Sequence, residues 1–214
     1  MVPGTVGGHD AAMEIEEKNV YTVEELDVAS AYKLATSLVV PRPIGWIGTR
    51  NAEGVSNLAP YSFFNIVASY PPTFVVAPVS SARRDTLDNI EASGQFTVNI
   101  VSESTVEAMN ASAGSYPPDE SEFDICGLTE VAAETIDAPL VGEAIANFEC
   151  RSTHVIELGS GKLVIGEASR IHVASRVVED DFRITQEEIH AIGRHAGGMY
   201  SRSSSTLFKL DRPK

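Results

Sequence analysis

Residues 80–86, SSARRDT, set two serines, two arginines and a threonine at the opening of a predicted helix, DTLDNIEASG. The first N–H groups of a helix lack intrahelical partners and carry partial positive charge, so Ser80, Arg83, Arg84, Asp85 and Thr86 outline an anion site that a phosphate would fit. The same letters also read as a solvated arginine pair beside a helix capped by Asp85, whose own carboxylate can satisfy those N–H groups. Near the C-terminus, HAIGRHAGGMYSRSSS combines two histidines, two arginines, a glycine pair and a tyrosine. The glycines let backbone approach a flat ligand closely, with His195 or Tyr200 against its edge or face, and a loop before a last strand, TLFKL, is the alternative. A third stretch, NLAPYSFFN at 57–65, reads as strand, yet Asn57, Ser62 and Asn65 interrupt its aromatic residues.

Other chemistries find no support in the residue pattern. His190 and His195 lack both an i,i+4 spacing and a third ligand, no Cys/His cluster occurs, and no metal site is read. No Ser/His/Asp arrangement stands out by spacing, so no catalytic side chain is assigned. The 16 Lys and Arg against 30 Asp and Glu give a net charge of -14, which repels a phosphate backbone and argues against nucleic acid as partner. Two cysteines, Cys126 and Cys150, are too few for a disulfide framework and read as reduced thiols in the core. No apolar run reaches membrane-spanning length and the N-terminus does not resemble a signal peptide, so a cytoplasmic protein with no membrane partner is expected. Residues 1–20, Gly-rich and acidic, are expected to form a disordered tail ahead of one domain over 21–214.

The elements that must position these residues are mostly short strands. A helix is expected from Asp27, as cap, to about Ser37, with Val28, Ala31, Tyr32 and Ala35 at helical spacing. PIGWIGT, the turn-rich RNAEG and VSNLAPYSFFN read as a hairpin, and TFVVAPV as a strand covered on both faces. In the helix over 85–93, Leu87 and Ile90 face inward and Gly94 ends it. QFTVNIV alternates as a half-buried strand, and SESTVEAMNASA offers a third helix. Residues 114–146 follow neither period and read as a long excursion over one end of the domain, or as a packed connector with short strands. Two long strands flank GSG, with a bulge or a polar pair near Gly166 in the second. Antiparallel grammar without sustained βαβ alternation predicts a mainly β fold with a closed or nearly closed barrel.

From PRPIGWIGTRNAEGVSNLAPYSFFNIVASYPPTFVVAP through RRDTLDNI, FTVNIV, FDICGLTEV, DAPLVGEAIANFECR and GRHAGGMYSR, roughly residues 30–212, the sequence resembles the flavin reductase-like family of FMN-binding split-barrel proteins, the group that includes flavoredoxins. The resemblance implies a split β-barrel, antiparallel and Greek-key, with a few peripheral α-helices. It implies FMN as cofactor, with NLAPYSFFN along the isoalloxazine ring: backbone from Ala59 and Pro60 through Phe63, and the polar groups of Asn57, Ser62 and Asn65, would meet the flavin's polar edge. The phosphate would lie on Arg83, Arg84 and Thr86 with Ser80 nearby, and GRHAGGMY would approach the flavin from a partner subunit. Family members usually carry Met or Leu where His195 stands. The implied activity is hydride transfer between NAD(P)H and flavin N5, in a homodimer, with free flavin or a protein as electron partner. The alternatives are an FMN-binding electron carrier reduced by a protein donor, or a split barrel using another flavin such as F420.

Overall fold

The computed structural model describes residues 15–78, 85–159, 161–211 and 213. Its first regular helix, α1, spans Val28–Leu38, and Asp27 caps it, the carboxylate accepting from the Ser30 N–H at 2.9 Å. At its two ends α1 leaves apolar side chains uncovered: Val28 is 85% and Leu38 78% exposed.

Strands β1 (Gly45–Arg50) and β2 (Ser56–Tyr61) form the expected hairpin, with Asn51 Oδ1 accepting from Val55 N to close the turn. They are followed by β3 (Phe64–Ser69), β4 (Pro72–Val76), α2 (Asp85–Ser93) and β5 (Gln95–Ile100). Beyond these come α3 (Val106–Ala111), α4 (Glu122–Cys126), β6 (Glu130–Ala132), β7 (Pro139–Val141), β8 (Ala146–Leu158), β9 (Gly161–Val173), α5 (Gln186–Ile189), β10 (Ile192–Arg194) and β11 (Tyr200–Arg202).

Seven strands make one antiparallel sheet in the order β2-β1-β5-β8-β9-β4-β3. Its two outermost strands, β2 and β3, are consecutive in the chain and separated only by Ser62 and Phe63. The sheet therefore curls until its edges meet at one corner without pairing, which is a split barrel. The expectation of NLAPYSFFN as one strand is corrected: it is two strands and the bend between them. Sequence pattern missed the bend because neither residue at it is a Gly or Pro signal.

Two cores share the sheet. Ile47, Phe64, Phe74, Leu87, Phe96 and Val164 belong to the one that α2 covers, whereas Trp46, Leu58, Met109, Phe123 and Val141 belong to the other, under α3, α4 and β7. Successive strand residues point to opposite faces, so Trp46 and Ile47 enter different cores. Burial of each such side chain is worth about 1.5–3 kcal/mol. Trp46 also donates its indole N–H to Ser112 Oγ at 2.9 Å.

This second layer corrects the half-buried reading of QFTVNIV. Thr97 and Asn99 have no exposed surface because the connector passes over them: Thr97 Oγ1 donates to Pro139 O, and Asn99 Oδ1 accepts from Val141 N and Asn147 Nδ2. Residues 114–146 are thus the packed connector. A second anchor is Glu149, also fully buried, whose carboxylate accepts from the Glu134 and Thr135 N–H groups at 2.8 Å each, from the Thr135 hydroxyl, and from His172 Nε2 at 2.7 Å.

Three further expectations are corrected. TFVVAPV is not covered on both faces, since only Phe74 and Val76 of β4 are buried. Asp85 lies within α2 as its first described residue rather than as its cap. TLFKL is not a strand, and its Leu207, Phe208 and Leu210 are exposed. Of the two thiols, Cys150 is buried and Cys126 only half-buried. The irregularity near Gly166 is real: pairing of β8 with β9 slips at Ser152/His154 and at Glu149/Cys150, leaving Thr153 and Ser169 as extra residues. Gly166 itself is required by packing, because a Cβ there would stand 2.4 Å from Phe96 Cζ.

Candidate functional site

The bend between β2 and β3 is the axis of three adjoining clefts. The first, at the foot of α2, is lined by Asn57, Ala59, Tyr61, Asp85 and Thr86. Thr86 is buried, and its hydroxyl accepts from Asn57 Nδ2 at 2.9 Å. Asn57 Nδ2 also donates to Thr49 Oγ1 at 3.1 Å, so strand, helix and amide are fixed to one another. As an acceptor in that bond, the Thr86 hydroxyl keeps its proton for another partner.

The second cleft, of about 430 Å³, shares Tyr61 with the first and adds Pro60, Ser62, Arg42, Arg194, His195 and Tyr200. The Arg42 guanidinium lies in its floor, 7% exposed, donating from Nε to Ser62 Oγ at 3.2 Å and from Nη2 to His195 O at 3.3 Å. Its Nη1 serves the Thr36 and Val39 carbonyls, which ties the end of α1 to the bend. Arg194 stacks over the Tyr200 ring, 4.6 Å from its centroid, and Tyr200 donates its hydroxyl to Asn110 Oδ1. His195 Nε2 is shielded from solvent and has no hydrogen-bond partner among the described residues. The third cleft, of about 790 Å³, takes over at Ser62 and runs past Phe63 and Asn65 to Leu158 and Lys162.

Asn57, Ala59, Asp85 and Thr86 are thus brought together in one cleft, Pro60, Ser62, His195 and Tyr200 in the next, and Phe63 and Asn65 in the last. Ser80, Arg83 and Arg84 lie outside the described residues. Ser62 Oγ is engaged by Arg42, and Asn65 Oδ1 accepts from its own neighbour, the Ile66 N–H, at 2.9 Å. His195 and Tyr200 line the cleft of the same chain that carries Ser62. Sequence reasoning missed Arg42, Tyr32, Asn110 and Arg194. The available signal for Arg42 was an arginine between two prolines in an acidic chain, which is unusual for a turn.

Comparison with known proteins agrees with this fold. Residues 37–193 match the Flavin reductase like domain. Nitrilotriacetate monooxygenase component B from Bacillus cereus is 37% identical, with a TM-score of 0.88 over 92% of this chain and 100% of that one. The 2-nitrobenzoate 2-nitroreductase of Pseudomonas fluorescens is 30% identical, with a TM-score of 0.83 over 91% of this chain and 96% of its own. Flavoredoxin of Desulfovibrio vulgaris is 27% identical, with a TM-score of 0.72 over 81% of this chain and 92% of its own. A match to the domain over most of the chain, on a sheet that closes at an unpaired corner beside three clefts, places the protein in the flavin reductase-like family of split-barrel flavin oxidoreductases.

Proposed function

We propose that this chain is an FMN-dependent NAD(P)H oxidoreductase that passes electrons to free flavin or to a protein partner. The observation that carries the reading is the continuous course of residues 57–65 past three clefts joined through Tyr61 and Ser62. An elongated ligand with a phosphate at one end and a flat ring system at the other suits that course. A donor suits the phosphate end: among the described residues the Thr86 hydroxyl accepts from Asn57 Nδ2 and gives its proton to no acceptor, beside the first described residue of α2.

Thr86, with Arg83 and Arg84 of the adjoining sequence, would hold the phosphate. Backbone from Ala59 to Asn65 would fix the orientation of the ring, and Tyr32, Tyr61 and Phe63 would exclude water from it. The flavin, when bound, supplies hydride acceptance from nicotinamide and onward electron delivery, which is why no protein acid or base need stand in the cleft. The test is the visible spectrum of desalted protein followed by anaerobic NADH or NADPH. Flavin absorption that bleaches within seconds is expected, and absence of a flavin spectrum even after adding FMN overturns the reading.

A second reading, an electron carrier reduced by a protein donor, is favoured by the likeness to flavoredoxin. It predicts a flavin spectrum that neither nucleotide bleaches.

The working form is a homodimer on this proposal. Val28 and Leu38 of α1 and the outer ends of β3 and β8, with Val67 58% and Leu158 62% exposed, offer apolar side chains that a second copy would cover. Light scattering of the FMN-loaded protein should give about twice the 22.9 kDa chain mass, and a value equal to one chain would count against the dimer.

A further inference from the structure

The chain holds 30 acidic against 16 basic Lys and Arg side chains, and many of its arginines find an acid: Arg50 pairs with Glu130, Arg176 with Glu188, Arg183 with Asp181, and Arg202 with Glu103. The two arginines that line the 430 Å³ cleft are different. Among the described residues, neither Arg42 nor Arg194 has a carboxylate within ion-pair distance.

Arg42 is almost wholly buried, and its bonds go to one hydroxyl and three backbone carbonyls. Those neutral acceptors orient the guanidinium without neutralising it, and a buried charge lacking a counterion is strongly unfavourable. Arg194 donates to Gly197 O and lies on the Tyr200 ring, with no other acceptor among the described residues. The unpartnered Nε2 of His195 lines the same space. Three nitrogen-bearing groups therefore line one cleft with the aromatic and apolar side chains of Tyr32, Tyr61, Ile44 and Met109, and with the polar Thr36, Ser62 and Asn110. A nicotinamide would bring only a neutral carboxamide to the two guanidinium groups and leave their charge uncompensated. The guanidinium fork of Arg194 can take a carboxylate bidentately, and the flat faces of Tyr32 and Tyr61 suit an aromatic ring attached to it.

We propose that this cleft is a subsite for the carboxylate of a small aromatic acid. The carboxylate lies between Arg194 and His195 Nε2, with Arg42 as a fixed charge behind them, and the ring lies against Tyr32 and Tyr61. The proposal rests on the flavin reading and deepens it by naming the class of ligand held beside the cofactor. Recognition of the carboxylate itself belongs to this chain's own side chains.

The test is calorimetric titration of benzoate, with benzamide and inorganic phosphate as comparators, into FMN-loaded and into flavin-stripped protein. Benzoate should bind the loaded protein at least tenfold more tightly than either comparator. Arg194→Gln and His195→Gln should each weaken it fivefold or more, and Arg194→Lys, which keeps the charge but loses the planar fork, should weaken it less than Arg194→Gln. Thermal melts check that each variant is folded, and a variant that is not leaves the other two to decide. Equal binding of benzamide or phosphate overturns the assignment, as does benzoate binding indifferent to both glutamine substitutions. Should the protein fail to retain FMN at all, the flavin reading falls while the same titrations on the flavin-free form still decide for or against the carboxylate subsite.

Discussion

Glu149 is a carboxylate with no exposed surface that stays ionised. Burial alone would raise its pKa, but hydrogen bonds from the Thr135 hydroxyl, the Glu134 N–H, His172 and the Thr135 N–H outweigh that and hold it down to about 2, against an ordinary 4.5. A depressed folded-state pKa stabilises the protein fully above the unfolded value, and the stabilisation is lost as pH falls from 4.5 toward 2. The shift corresponds to roughly 3 kcal/mol. Glu149→Gln should therefore cost on the order of 2–3 kcal/mol in urea melts at pH 7, with the gap to the wild type closing as pH falls through that window.

Two further side chains admit equally direct tests. Thr86→Val keeps the shape and removes a hydroxyl that accepts from Asn57 and can donate to a phosphate. The expected result is FMN affinity weakened roughly ten- to hundredfold, measured by quenching of flavin fluorescence, the range expected for losing a hydrogen bond to a charged group. Gly166→Ala pushes a methyl into Phe96 and should destabilise by about 1–3 kcal/mol, seen as a lower urea midpoint with an unchanged slope. The need for a glycine at 166 was visible in the sequence only as a break in an apolar alternation.

Among the elements, β5 is the most instructive. Its alternation of Phe96, Val98 and Ile100 with Gln95, Thr97 and Asn99 is that of a strand with one wet face, yet Asn99 is enclosed. Alternation reports polarity, and a polar face can meet either water or a network that another segment completes. Here β7 completes it, and Asn99 Nδ2 also donates to Trp46 O. Asn99→Leu strands the Val141 N–H and the Trp46 carbonyl, so a loss of about 2–4 kcal/mol is expected. Amide hydrogen exchange should quicken first at residues 139–141, ahead of the barrel strands.

The first hairpin and the cap of α1 were legible because their determinants are local: Asp27 acts on Ser30, and Asn51 on Val55. The corner at Ser62 and Phe63 was not, because what bends the chain there is distant. Arg42 grips Ser62 Oγ, and the Phe63 carbonyl accepts from the Ala77 N–H beyond β4.

At the scale of the whole molecule, the family was legible over most of the chain while the composition of the second cleft was not. Arg42 and His195 are separated by 153 positions, and only the folded sheet brings them to one hydrogen bond. An acidic chain also hides its few uncompensated cations, since counting charges says nothing of which arginines are already paired.

The unpaired corner has a mechanical consequence. In the seven-strand order, β2 and β3 are as far apart as two strands can be, yet the cleft lined by β2 and the cleft lined by β3 adjoin at Ser62. A ligand long enough to span the two adjoining clefts would act as a clasp across both ends of the sheet without breaking any existing ladder. Saturation at a hundred times its dissociation constant adds about 2.7 kcal/mol to stability. That gain should register as slowed exchange at both edges together, as though the ligand were the missing rung that turns an open ribbon into a hoop.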